Sequence, residues 1–591
     1  MARKPRGEDD DEEQGSRLFV VANRLPISIK QRDDGGFDFG ASAGGLASSL
    51  SGLASKTKFV WYGWPGIEVH RNDKEHLRQE LERQHSAVPV FLSQELAEKH
   101  YNGFSNSILW PLLHRMPDKA DSHPEWSDAY KEVNEIFAEN LIPQLEDGDK
   151  VWIHDYHLLL LPSAIRRRLR NKKIKIGFFL HTPFPSEDFF SILPFREAIC
   201  EGVFNSDVVG FHTRGYVEDF LDSAEKVLPG VRRSPHDLHY RDRTVIVHQF
   251  PIGIDPSRFR KALSTPEVQS ELTSLTKTYA DKTVLLGIDR LDYTKGVPQK
   301  LLAFDNFLKD NPSYVGKVVM IQVAVPTRPG VTEYVKLQHQ VEQLVGRVNG
   351  NHSTASYTPV VYLHRSIPFE HLCALYALAD ICVVSPIRDG LNLVSYEYTI
   401  CQAHKAATQA CTGHHKEPGV LMLSQYTGAA TTLRDSVIIN PWDTPRFSEA
   451  IHMALHMPPP ERKRRHESNV KVVEEQTSVR WGQKFLYCME TMQVDDEVEQ
   501  PNDLQVRSHS QDERDRGQSD KGVDGTAEDG VDGSTLSETE SRRLESVASA
   551  GAKDNPDASG PQLTSLSFKR LSQDSAARSK DRPSFDGNLD A

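Results

Sequence analysis

Arg290 and Lys295 stand in the string Gly287-Ile288-Asp289-Arg290-Leu291-Asp292-Tyr293-Thr294-Lys295-Gly296, between an apolar run at 284–288 and an amphipathic stretch opening at Gly296. The run reads as a buried strand, and the stretch, with Leu301, Leu302, Phe304, Phe307 and Leu308, as a helix. A strand-to-helix turn presents backbone N–H groups and the positive end of a helix dipole, so two cations beside it make a site for an anion. No G-x-G-x-x-G follows a first strand and no G-x-x-x-x-G-K-[ST] occurs, so neither a dinucleotide fingerprint nor a P-loop accounts for the charges. A solvated cation pair on a helix shoulder is the bland alternative.

A second string, Asp389-Gly390-Leu391-Asn392-Leu393-Val394-Ser395-Tyr396-Glu397, follows the apolar run 381–385 and opens a helix at about Leu393. Amides of residues 390–394 would then point out of a helix N-terminus, with Asp389 in the loop and Glu397 one turn inside. Asn23-Arg24-Leu25-Pro26 follows the first apolar run, and Gly44-Gly45 comes before a helical stretch. That Gly pair is either a turn or a place where backbone amides approach a phosphate. Trp61, Tyr62 and Trp64, then Tyr101 and Trp110, fall in Gly-, Asn- and Pro-rich segments, as core residues or as stacking faces and donors for a sugar. His154-Asp155-Tyr156-His157 and His181-Thr182-Pro183 each end a strand pattern; a carboxylate and an imidazole there suit hydrogen bonds to hydroxyls. The His154/His157 spacing also fits metal ligands, but no matching cluster lies nearby in sequence.

These residues need a scaffold that brings strand ends together. Short apolar runs at 18–22, 59–62, 88–92, 151–154, 174–180, 208–211 and 245–250 alternate with helical patterns at 73–84, 126–142, 160–169 and 216–227. A second series has strands at 284–288, 318–323, 360–363, 381–385, 420–423 and 437–440, then helices at 446–456, 460–476 and 480–493. Continuous β-branched runs separated by helices predict parallel sheets covered on both faces. Two doubly wound domains of α/β class, joined near 251–265, would face a cleft holding the ligand against the carboxyl ends of the strands.

The 591-residue chain carries a formal charge of −13, but residues 1–16 hold −3 of it and 495–591 hold −10. The neutral body offers no surface for a polyanion, which excludes a nucleic-acid partner. Residues 495–591 have no Trp or Tyr and two Phe, too little apolar surface to offset ordering entropy, and read as disordered, as does the acidic start 1–16. Six scattered cysteines without C-x-x-C read as reduced thiols, and no signal peptide or membrane-length apolar run occurs.

Together the strings at 289–296, 154–158 and 388–398 resemble the trehalose-6-phosphate synthases, a family of glycosyltransferase-B fold, over about residues 17–494. The resemblance implies transfer of glucose from UDP-glucose to glucose 6-phosphate with retained configuration, two Rossmann-like domains and no cofactor or required metal. Its domain limits would be 17–262 for the acceptor, 263–478 for the UDP-sugar, and 479–494 for a helix closing back on the first domain. It assigns Arg290 and Lys295 to the diphosphate, Leu393 and Val394 to it by backbone amides, Glu397 to the ribose, and main chain around Ile367 to uracil. Asp389, in the loop with Gly390, Leu391 and Asn392, would take donor-glucose hydroxyls, with His181, Gly44 and Gly45 on the same sugar nucleotide. Arg24, Tyr101, Trp110 and Arg328 would take the acceptor phosphate, Asp155 its hydroxyls, and Trp64 would complete that side. A cytoplasmic enzyme follows, with a phosphatase, regulatory subunits and a homo-oligomer as candidate partners. A non-catalytic regulatory subunit is the alternative reading. The segment 402–418, with His414-His415, reads as a surface insertion, and the absence of D-x-D-x-[TV] after 495 predicts no phosphatase half.

Overall fold

A computed structural model of the chain describes residues 16–493, apart from 42–44, 122, 171, 235–236, 329 and 404–416. The expectations for the two termini, for Gly44 and for most of the 402–418 insertion lie outside these residues. Apolar β-branched runs form the strands, and two large sheets result, beside a small antiparallel pair Ile27–Gln31 and Phe37–Ala41. The first has nine strands, ordered Ala87–Pro89, Val60–Trp64, Leu18–Arg24, Lys150–His154, Lys175–Phe179, Val208–Phe211, Arg243–Gln249, Asp237–Tyr240 and Arg232–Arg233. Seven are parallel, as continuous burial on both faces demands. The last two are antiparallel additions unmarked in the sequence pattern. A tight reversal after Tyr240, with Arg241 at φ 54°, makes that hairpin, and its short, partly exposed strands bury too little to show a pattern.

The second sheet is wholly parallel, ordered Val360–Leu363, Val318–Val325, Thr283–Arg290, Ile381–Val384, Val420–Ser424 and Val437–Ile439. In both sheets the chain steps outward in two directions from an early strand, so each is doubly wound and has a crevice at the carboxyl edge of its middle strands. The two domains face each other across these edges. The helix Ser478–Thr491 returns to the first sheet, where the fully buried Phe485 stacks on Trp152 with centroids 4.7 Å apart and planes 11° apart.

One segment differs from the sequence reading, and in a second the structure decides between the two alternatives it left open. Residues 99–109 are not a loop: the helix Gln94–Glu98, capped by Ser93, continues as a wide helix Lys99–Leu109 and then as Trp110–Leu113. The Trp110 amide donates to the Ser105 carbonyl, five residues back, and such wide turns displace side chains from regular helical spacing, which hides the periodicity. Trp61 and Tyr62 lie buried inside the strand Val60–Trp64, so core packing explains both, while Trp64 at its end is also buried but lies under the Arg24 guanidinium.

Candidate active site

Arg24, Asp155, His181, Arg290 and Asp389 all end or follow parallel strands at their carboxyl edges. On the second-domain side, strand Thr283–Arg290 ends in Arg290, and a tight turn Tyr293–Lys295 leads to helix Val297–Asp310, one residue later than its pattern indicated. Asp292 shapes that turn. Its Oδ1 accepts from the Thr294 amide at 3.0 Å and the Thr294 hydroxyl at 2.9 Å. Gly296 then takes φ 66°, and a Cβ there would stand 2.0 Å from the Ser385 carbonyl oxygen, so only glycine closes the turn against the neighbouring strand end.

The two cations of this loop do not face one group. Lys295 Nζ lies 2.6 Å from Asp389 Oδ2, the two side chains being 12% and 13% exposed. Asn392 Nδ2 donates to the same oxygen at 3.0 Å. Burial would raise the Asp389 carboxyl, but the charge and hydrogen bond of Lys295, with the Asn392 amide, outweigh it and hold the group below its ordinary value. Arg290 instead reaches toward the first domain, its guanidinium 5.6 Å from the Trp110 ring.

The helix expected at about Leu393 begins at Val394 and runs to Ala403. Asn392 caps it, Oδ1 accepting from the Val394 amide at 3.1 Å, so one of the amides expected to face a ligand is already engaged. Glu397 sits in the first turn and accepts from the Tyr376 hydroxyl at 2.7 Å. Burial pushes its carboxyl up to about 7, only partly opposed by that hydrogen bond and by the charge of Arg258. Ile367 lies in the loop between strand Val360–Leu363 and helix Phe369–Leu378, at the same edge of the sheet.

On the first-domain side, Arg24 ends the strand Leu18–Arg24 with its guanidinium 5.1 Å over Trp64. Tyr101 stacks on His157 at 5.5 Å and 9°. Burial would raise the Tyr101 phenol, yet the charges of Arg328, Arg290 and Arg24 and a hydrogen bond from Arg328 together hold it below its ordinary value. The charges of two arginines at strand ends and one just past a third strand therefore act on this hydroxyl.

Arg328 is the least free of them. It is 6% exposed, lies 4.1 Å over the Trp110 ring, and follows the second-domain strand Val318–Val325. Its guanidinium donates to Asp292 Oδ2 at 3.3 Å, to Tyr156 at 3.3 Å and to Tyr334. Asp292, passed over in the sequence reading, thus holds the Lys295 turn with one oxygen and Arg328 with the other. The D-x-T spacing inside the Arg290–Lys295 string was the available signal for the first role; nothing in the sequence marks Tyr156, Tyr334 or Tyr376.

Asp155 ends the strand Lys150–His154 at φ 74°, its amide bonded to the Phe179 carbonyl at 2.8 Å. Burial pushes its carboxyl up to about 6 against amide donors from Tyr156 and His181 and the charges of Arg290 and Arg328. His181 Nε2 is 3.1 Å from His154 Nδ1, and burial, with His212 and His154 alongside, holds its ring well below the ordinary value and so neutral. His154 and His157 engage different neighbours, and no group of three His, Cys, Asp or Glu among the described residues is placed to hold a metal. The domains touch where the assigned sugar ligands meet: a Cβ on Gly390 would lie 2.0 Å from the His181 carbonyl oxygen, and one on Gly45 would lie 3.2 Å from Leu393 Cδ1.

Known proteins resemble the chain in sequence and in fold. An alpha,alpha-trehalose-phosphate synthase [UDP-forming] of Emericella nidulans is 46% identical over 482 residues, which is 81% of this chain and 93% of that protein. The structure of an alpha,alpha-trehalose-phosphate synthase (UDP-forming) from Burkholderia xenovorans in complex with glucose-6-phosphate superposes with a TM-score of 0.70 at 29% identity, covering 80% of this chain and all of that one. The E. coli trehalose-6-phosphate structure bound with UDP-2-fluoro glucose gives 0.70 at 31%, covering 80% and 99%. With the family model matching residues 16–491 from end to end of the two-domain body, the chain belongs to glycosyltransferase family 20.

Proposed function

We propose that the chain is a retaining glycosyltransferase that moves glucose from UDP-glucose to glucose 6-phosphate, forming α,α-trehalose 6-phosphate and UDP in trehalose biosynthesis. The observation that carries this is a pair of cationic groups: Arg328 over the Trp110 ring beside Tyr101 on the acceptor side, and Lys295 with a helix N-terminus on the other, with Arg290 reaching the Trp110 ring from the Lys295 loop. Two anion sites in one cleft suit a sugar phosphate on one side and a nucleoside diphosphate on the other. The fungal synthase and the two bound structures support the same pair of substrates.

In this reading Arg290 and Lys295 hold the diphosphate, joined by the backbone at Leu393 and Val394, with Glu397 on the ribose and the main chain near Ile367 on uracil. Asp389 and His181 take donor-glucose hydroxyls, and Gly44, Gly45 and the Gly390–Asn392 loop line that end. Arg24, Tyr101, Trp110 and Arg328 take the acceptor phosphate, Asp155 takes acceptor hydroxyls, and Trp64 flanks them. Lys295 must share itself between Asp389 and a phosphate oxygen, and Val394 must exchange Asn392 for one, so binding rearranges contacts already made. The bond from donor C1 to the β-phosphate oxygen breaks, and the acceptor hydroxyl oxygen bonds to C1 on the same face. The hydroxyl proton passes to the departing phosphate. Arg290, Lys295 and the helix start stabilise the charge that develops on UDP, the task a divalent ion performs in other transferases, so no metal is required.

Domain limits of 17–262 and 263–478 with a closing segment 479–494, a cytoplasmic location, self-association, and phosphatase and regulatory partners go with this proposal. No helix among the described residues is long and apolar enough to cross a membrane. The test is incubation of the purified chain with UDP-glucose and glucose 6-phosphate, with mass and NMR analysis of the product. An α,α-linked disaccharide phosphate with equimolar UDP is expected; UDP without it, or an inverted linkage, refutes the assignment.

A further inference from the structure

The Asp389 loop of the second domain is tied to the first domain at one peptide. Tyr216, in the first turn of helix Arg214–Val227, is buried, and its hydroxyl donates to the Asp389 carbonyl oxygen at 2.8 Å across 173 residues of sequence. The same carbonyl accepts the Gly428 amide at 3.3 Å, while the Asp389 amide donates to the Tyr426 carbonyl at 3.0 Å. The peptide bearing the Asp389 carboxylate is thus gripped by its own domain on two sides and by the other domain on the third.

The Tyr216 ring is itself held. The Arg388 guanidinium lies 5.9 Å from its centroid and 3.9 Å from Asp219 Oδ2, which Arg115 grips at 2.8 Å. Arg115 follows the short helix Trp110–Leu113, whose Trp110 lies beneath Arg328 and Arg290. A run of contacts therefore leads from the acceptor side through Arg115, Asp219 and Arg388 to Asp389. Arg388 leaves its Nε buried without a partner and stands beyond hydrogen-bond distance of Asp219, so among the described residues around Asp219 and Arg388 the short bond between the domains is that of the Tyr216 hydroxyl.

When two substrates are held by different domains, interdomain contacts set the separation of the reacting atoms, and displacements of about 1 Å cost orders of magnitude in rate. We propose that Tyr216 is a positioning residue for the transfer: its hydroxyl fixes the Asp389 peptide, and with it the Asp389 carboxylate and the start of helix Val394–Ala403, in register with the acceptor domain. This rests on the reaction proposed above and adds a residue that touches neither substrate.

Tyr216→Phe keeps the ring and removes only the hydroxyl. In the full chain, kcat for transfer should fall about tenfold while both KM values stay within about twofold, because the lost bond orders reacting atoms more than it binds either substrate. The share of UDP-glucose consumed by water instead of glucose 6-phosphate should rise, with the melting temperature unchanged. Without any substrate, amide hydrogen exchange over residues 389–394 should quicken. Asp219→Asn, one step further along, should move the same readouts by less. Unchanged kcat, hydrolysis share and exchange in both variants would overturn the inference, as would a kcat loss matched by loss of folded protein. If the wild-type chain makes no disaccharide phosphate, the proposed reaction falls, and the exchange measurement alone still decides whether Tyr216 holds the loop.

Discussion

Glu397 offers a pH test of the donor site. Its carboxyl accepts from Tyr376 at 2.7 Å and burial lifts it from the ordinary 4.5 to about 7, so near neutral pH about half of the ligand-free molecules carry a proton there. Ribose hydroxyls donating to this group would favour its ionised form, and binding would release the proton. With a free-state value of about 7, the affinity for UDP-glucose should rise about tenfold between about pH 6 and about pH 8, or about 1.4 kcal/mol. UDP-glucose is the ligand to use, because its diphosphate is esterified at both ends and does not titrate in this window, whereas the terminal phosphate of UDP does. Calorimetry at both pH values, in buffers of different ionisation enthalpy, gives affinity and proton release together. Glu397→Gln should bind more weakly at the higher pH and lose the slope. An equal slope in wild type and variant, or none in wild type, refutes the assignment of this carboxylate to the ribose. The stability sign follows from the same shift: the folded-state value is raised, so Glu397 contributes stability that is fully present below about 4.5 and is lost as pH rises through about 7. The melting temperature of Glu397→Gln relative to wild type should therefore grow with pH across that interval.

Arg290→Ala and Lys295→Ala should each lower turnover by about two orders of magnitude with the fold intact, because each removes a charge that stabilises departing UDP; kinetics with circular dichroism decide it. Arg328→Ala should raise the KM for glucose 6-phosphate and also cost about 3–5 kcal/mol of stability, since it strands the buried Asp292 carboxylate. Tyr101→Phe should raise the same KM with little effect on melting, so the pair separates binding from folding. Phe485→Ala should cost about 3–5 kcal/mol by opening a cavity against Trp152, measured by denaturant unfolding. EDTA should leave the rate unchanged; a large loss restored by Mg²⁺ would contradict the role given to the fixed cations.

The sequence by itself determined the alternation of strands and helices, hence the two parallel sheets, because a parallel strand buried on both faces must be written as a continuous apolar run. It also determined which residues stand at strand ends, where a doubly wound sheet has its crevice, and so Arg24, Asp155, His181, Arg290 and Asp389 were legible as a group. What it could not carry is which of them meet. Lys295 pairing with Asp389, and Arg328 committed to Asp292 and Tyr156, join groups 94, 36 and 172 positions apart, and no local spacing encodes such contacts. The wide helix Lys99–Leu109 shows no helical pattern because its side chains leave regular helical spacing, and Trp61 and Tyr62 stayed open between core and cleft because a short segment does not reveal which faces are covered. Charge state, too, was decided only by the tertiary structure: nothing local distinguishes Glu397, lifted to about 7, from Asp389, held low, since burial and a lysine brought in from a distant turn set the two apart.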